Sequence, residues 1–339
     1  MKRLLPFAPV LLLGALLLSP AAALAGAKEG LEIWWGRVFP ALLPSFICVR
    51  LADQLGLLRL CGRRPRGQRA AFYAFSLVSG APNGAKLLHI LAEDGSLSLA
   101  EAQRVLPLVN NVSPVFLLTI IASGSLENKA LFLPMGISFY GCILCLLAPR
   151  MIRTRTEPKP VRSTEAAGRP FSEALSAAIE SSMLDMLRIG GCIVFVCTLL
   201  SLIRPILPGS GICAAAAGAM EVSIGASALG ELSLPLRVKT SLMAGFSAYG
   251  GLSLALQTLC CFPELKLLPY LLRKLLFGAA VGLLCYGLFP LLPGVAPAFA
   301  SRQEVLSRSL SMSALLLSSL LSLGFIGVLS LMVSPRKRN

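Results

Sequence analysis

The chain has 339 residues, 55% hydrophobic and only 14% charged, with a formal net charge of +15. A soluble globular domain is about a quarter charged; here the apolar excess lies in long runs, which excludes an ordinary soluble domain, and the absence of short alternating segments excludes barrel strands. The basic residues sit in loops between the runs, without aromatic interleaving or zinc-finger spacing, so the charge reads as membrane topology and no nucleic-acid partner is expected.

The first run, Leu4–Ala25, follows Lys2 and Arg3. Ala23-Leu24-Ala25 resembles a signal-peptidase site, but an uncleaved helix with its N-terminus inside is preferred. Either way Gly26 is expected to emerge outside, so Leu31–Leu58 must return inward. Arg59, Arg63, Arg64, Arg66 and Arg69 then form a cytoplasmic basic loop. Three apolar segments follow: Ala70–Leu91, Val105–Ala122 and Ala130–Ala148. The stretch Arg150–Arg169, rich in Pro, Ser and Thr, is a second cytoplasmic basic segment and a flexible linker. Beyond it, Ile189–Leu207 runs outward, and Gly211–Gly230, Val238–Phe262 and Leu268–Leu292 follow. Ser311–Val333 returns the chain to a cytoplasmic tail, Arg336-Lys337-Arg338. Both flanks of each trio lie on fixed sides, so one segment of every three cannot cross fully.

The two halves share an order of features. A Gly-rich interruption, Ser79–Lys86, corresponds to Gly218–Gly225; Leu97–Leu99 to Leu232–Leu234; and Asn110–Pro114 to Gly245–Gly251. The expected fold is an all-α polytopic membrane protein. It would hold two inverted-topology repeats with broken or re-entrant helices, roughly eight full spans plus two re-entrant segments. The divisions are an N-terminal helix (1–29), a first repeat (30–150), a cytoplasmic linker (151–175), a second repeat (176–293) and a C-terminal helix with a basic tail (294–339).

In transporters of this kind the interruptions form the site, because freed backbone groups and half-helix termini can bind solute. The candidate substrate-binding residues are therefore Ser79, Gly80, Pro82, Asn83, Gly84, Lys86, Asn110, Asn111, Ser113, Glu221, Ser223, Gly225, Gly250, Gly251 and Gln257. Lys86 either neutralises an anionic substrate or snorkels to the interface. Glu221 pairs with Lys86, holds a coupling proton or sodium ion, or is a structural partner of Arg237 or Lys239. The asparagines and Gln257 hydrogen-bond solute or join helices. His89 is read as a packing residue, and Pro107, Pro114 and Pro235 as helix breaks or starts. Trp34 and Trp35 fit an interfacial belt at the outer end of a helix. The C-x-x-C of Cys142 and Cys145 lies inside a span without a second ligand pair and is read as apolar filler, so no metal or cofactor is expected. No phosphate-binding loop, H-E-x-x-H or nucleophile elbow occurs, which argues against an enzyme.

Five stretches give the chain a family resemblance: Trp35–Pro44, Ser79–Lys86, Asn110–Phe116, Met220–Gly225 and Tyr249–Gln257. On these it resembles the YlbJ-type sporulation integral membrane proteins, within the wider group carrying nucleoside-recognition or Gate domains. It departs from the family pattern at Ala255, where a histidine is usual. The resemblance implies a transporter of endospore-forming bacteria, in the mother-cell-derived outer forespore membrane, passing the small anion dipicolinate toward the spore. A nucleoside or other metabolite permease, or a structural subunit of a sporulation membrane complex, is the alternative. Partners would be the lipid bilayer, an anion, an unidentified coupling ion and a second copy in a homo-oligomer.

Overall fold

The computed structural model describes residues 7–56, 65–93, 95–153 and 170–291. The expected C-terminal helix and tail, most of the first basic loop and residues 154–169 of the linker lie outside the described residues. Every regular element among the described residues is helical.

The chain opens with α1 (Ala8–Leu18), which stops at Ser19 because Pro20 lacks an N–H and disfavours a helical residue before it. α2 (Pro20–Ile33), a π-helical stretch (Trp34–Val38) and α3 (Phe39–Gln54) then run on without a turn. This corrects the expected reversal at Gly26. The interruption falls at Ser19, and one 33-residue apolar stretch, Pro20–Ala52, replaces two shorter spans.

The reason is packing. A Cβ on Gly26 would lie 2.7 Å from the Cys197 carbonyl oxygen, and one on Gly30 would lie 2.7 Å from Val194 Cα. Both glycines are contact points against α9 (Phe171–Ile203), and that contact overrides the roughly 1 kcal/mol that helical glycine costs. Trp34 continues the seam: its ring covers Gly190 and its indole N–H donates to the Met186 carbonyl at 2.9 Å. The order of these contacts makes α2 and α9 antiparallel. Trp34 is thus a buried packing residue in mid-helix, not part of a belt, while Trp35 is exposed and stacks on Phe39.

After α3 come α4 (Pro65–Ser79), α5 (Asn83–Glu93), α6 (Leu99–Val109), the single turn α7 (Pro114–Phe116) continued by a π-helix (Leu117–Ser125), and α8 (Phe132–Arg153). Ser98 caps α6 and Ser113 caps α7, each accepting a backbone N–H three residues on. Pro114 starts α7 and Pro235 precedes α12, as expected; Pro107 instead sits inside α6. After α9 the order recurs: α10 (Gly209–Met220), α11 (Val222–Glu231), α12 (Leu236–Tyr249), α13 (Gly251–Cys261) and α14 (Leu267–Leu288). α12 and α14 pack antiparallel through Gly245, Gly278 and Gly282, again at backbone contact distance.

Five stretches among the described residues are long and apolar enough to cross a membrane. They are buried unequally: the most apolar 18 residues within Leu99–Ser125 are 89% buried by protein, against 17% for those within Pro20–Ala52 and 33% for those within Leu267–Leu291. The stretch carrying the Asn110 break therefore runs through the centre, and the long outer helices present leucines such as Leu31, Leu276 and Leu283 outward. α9, at 33 residues and 1.5 Å each, is about 50 Å long, well beyond the roughly 30 Å hydrocarbon layer.

Candidate functional site

Four helix breaks meet at the centre, two from each half. In the first half Gly80 turns left-handed (φ +74°), ending α4, and the Ala81 N–H donates to the Asn111 carbonyl at 2.7 Å. A Cβ on Gly80 would sit 2.8 Å from the Ser113 nitrogen, and one on Gly84 would sit 2.8 Å from the Val109 carbonyl oxygen. Asn110 Oδ1 accepts the Ala85 N–H at 3.2 Å, while its Nδ2 donates to Thr258 Oγ1 at 2.8 Å. One side chain thus ties the start of α5 to α13 of the other half.

In the second half Glu221 is extended (φ −146°, ψ 126°) and its Oε2 accepts the Ile224 N–H at 2.9 Å, capping α11. Gly225 then packs directly on Gly218, so the chain folds back on itself at Glu221. Gly250 (φ +87°) and Gly251 (φ +73°) break the next helix; a Cβ on Gly251 would meet the Met220 carbonyl oxygen at 2.9 Å.

Each break is therefore locked to the other break of its own half. The two pairs face one another across a small cavity of about 50 Å³. Ala81 and Ser113 line one side, and Glu221, Gly250, Ser253 and Gln257 the other. Val38, Leu42 and Phe46, with Ile189 and Ile193 of α9, supply apolar walls. Of the remaining candidates, Ser79, Asn83, Asn110, Asn111 and Ser223 are buried but do not line this cavity.

The charged residues form a second centre. Lys86 pairs with Asp185 of α9, not with Glu221. Asp185 is fully buried and also holds Arg50 Nη2 at 2.8 Å and Arg188 Nη1 at 3.7 Å. Arg50 Nη2 donates further to Asn83 Oδ1 at 2.7 Å. Three cations thus surround one carboxylate, and two buried donors in the cluster, Arg50 Nε and Asn83 Nδ2, have no acceptor among the described residues. Arg237 and Lys239 are engaged elsewhere, on the Tyr286 and Gly230 carbonyls. His89 lies between Glu93 and Glu264, 3.3 and 3.4 Å away. A further lysine, Lys274 of α14, is fully buried and donates to Asn111 Oδ1 at 2.6 Å.

Arg50, Asp185, Arg188 and Lys274 were not among the residues singled out from the sequence. A signal for them existed: each is an ionisable residue within or beside an apolar run, a placement that is costly in a membrane. What the sequence lacked was pairing, since Arg50 and Asp185 are 135 residues apart.

The chain is 26% identical to the sporulation integral membrane protein YlbJ of Bacillus subtilis (strain 168), with 76% of each chain covered. No protein-family model matches it, and no solved structure matches it. That similarity, in a chain of apolar helices interrupted in the same order in both halves, supports a YlbJ-type family assignment.

Proposed function

We propose that this chain is a transporter, not an enzyme, that moves a small organic anion across the outer forespore membrane, and that the anion is dipicolinate, carried from mother cell toward spore. The observation that carries the reading is the cluster of Arg50, Lys86 and Arg188 around the single carboxylate of Asp185. Its surplus of two positive charges equals the charge of a dicarboxylate. Arg50 Nε and Asn83 Nδ2 are donors available to carboxylate oxygens. Bringing a dianion into low dielectric uncompensated costs several kcal/mol per charge even after relaxation, so a fixed cationic surplus is what such a solute requires.

The name of the Bacillus subtilis relative supports a role in sporulation. The recurring order of long helix, broken segment, turn, broken segment and closing helix supports reading the halves as inverted repeats. In this reading the two basic loops and the C-terminal tail are cytoplasmic. The 50 Å³ cavity is smaller than an aromatic ring with two carboxylates, so the conformation described is a closed one and transport requires the two pairs of breaks to separate.

The test is uptake of labelled dipicolinate into vesicles bearing this chain alone. Wild-type vesicles accumulate the label. Lys86→Met lowers uptake at least about tenfold, the factor that a 1.4 kcal/mol loss gives, with the protein still in the membrane, while Lys86→Arg keeps part of it. Unchanged uptake by Lys86→Met overturns the assignment of the site.

A further inference from the structure

Glu221 is the carboxylate that the charge cluster leaves over. It is 5% exposed and makes no ion pair among the described residues, and its carboxylate caps the start of α11, with Oε2 accepting the Ile224 N–H. Capping does not call for this residue: Ser, Asn or Asp caps as well with a shorter side chain. An acid held inside a membrane domain without a cation is costly and is a functional group by default.

Its surroundings specify a ligand. Glu221 lines the 50 Å³ cavity together with oxygen-bearing Ser113, Ser253 and Gln257, and with broken backbone at Ala81 and Gly250. From α3 and the π-helical stretch the facing groups are apolar: Val38, Leu42 and Phe46. From α9 they are Ile189 and Ile193, with Cys197 the titratable group within electrostatic reach. The volume suits one small cation or one or two waters and nothing larger.

We propose that this cavity is a binding site for one monovalent cation, with Glu221 as its charged ligand, and that the cation travels with the anion. The proposal rests on the anion-transport reading above. An ionised Glu221 beside the path would repel a dianion, and a bound cation removes that repulsion. By linkage, a cation that raises the affinity for the anion has its own affinity raised by the anion to the same degree. A proton and a sodium ion share the chemistry, a single positive charge on carboxylate oxygen. In the proton case an O–H bond forms at Oε1 on loading and breaks on release to water.

The purified full-length chain in detergent, titrated with dipicolinate, distinguishes the possibilities. Anion binding is read by calorimetry, proton uptake by an indicator dye in weak buffer, and sodium by retention of ²²Na⁺. The expected result is about one proton or one ²²Na⁺ taken up per anion bound, the dye and isotope arms saying which. In Glu221→Gln, shown folded by a wild-type elution profile and melting temperature, neither cation is taken up on addition of the anion. Glu221→Asp restores cation uptake. Anion binding by wild type without either cation, or cation uptake retained by Glu221→Gln, overturns the proposal. Absence of any dipicolinate binding by wild type instead overturns the anion-transport reading.

Discussion

At the residue scale the buried charges are in two different situations. Asp185 is surrounded by cations, and removing it leaves Arg50 and Lys86 without a counter-charge. Breaking a buried pair from one side costs about 3–5 kcal/mol, so Asp185→Asn should lower the melting temperature in detergent markedly. Because the cations remain, dipicolinate should restore more stability to this variant than to wild type, which a thermal-shift titration checks. No rescue by the anion would count against the cluster as its site.

Lys274 differs, since Asn111 is the partner that the structure gives it. Asn111→Leu should destabilise by about 3–5 kcal/mol by stranding the ammonium group, while Asn111→Leu with Lys274→Met together should recover most of that loss. Additive losses in that double-mutant cycle would show that the two side chains do not act as a pair.

At the element scale, glycine makes both the breaks and the helix seams, and the two uses differ in strength. Gly80 and Gly95 are both left-handed, at φ +74° and +72°. An added Cβ at Gly95 meets open space, whereas at Gly80 it meets Ser113 backbone at 2.8 Å. Gly95→Ala should therefore cost only the roughly 1–2 kcal/mol of left-handed strain. Gly80→Ala should cost about 1–3 kcal/mol more, because the two breaks of the first half must move apart. Comparing the two variants' melting temperatures and vesicle uptake tests this; equal losses would mean that the contact between breaks carries no weight. The Gly26 and Gly30 seam against α9 explains why Pro20–Ala52 stays one helical stretch although the sequence places the end of a span before Gly26.

At the scale of the whole molecule, α2 and α9 pack antiparallel, and the proposed inverted topology of the halves makes a labelling prediction. Single cysteines placed at Arg64, Lys159 and Asn339 should all be labelled from the cytoplasmic side by an impermeant maleimide, and one at Gly209 from the opposite side. Labelling of Lys159 from outside would exclude the inverted arrangement. The continuous stretch Pro20–Ala52 adds a sharper case. A cysteine at Gly26 should resist labelling from either side, because that position is pressed against Ser201 and Cys197. Ready labelling there would restore the reversal that the sequence suggested.

The sequence by itself determined the membrane class, the helical character of the runs and the positions of the interruptions. Hydrophobic length and the placement of Gly and Pro are local properties, and Ser79–Lys86, Asn110–Pro114, Met220–Gly225 and Gly250–Gly251 all fall at breaks. Tertiary structure decided what the breaks face and which charges pair. Lys86 and Glu221 are the conspicuous opposite charges in the sequence, yet Lys86 reaches Asp185 instead. Asp185 lies on a helix that no local pattern brings near α5, and a buried ion pair forms only where the packing of whole helices places its two ends together.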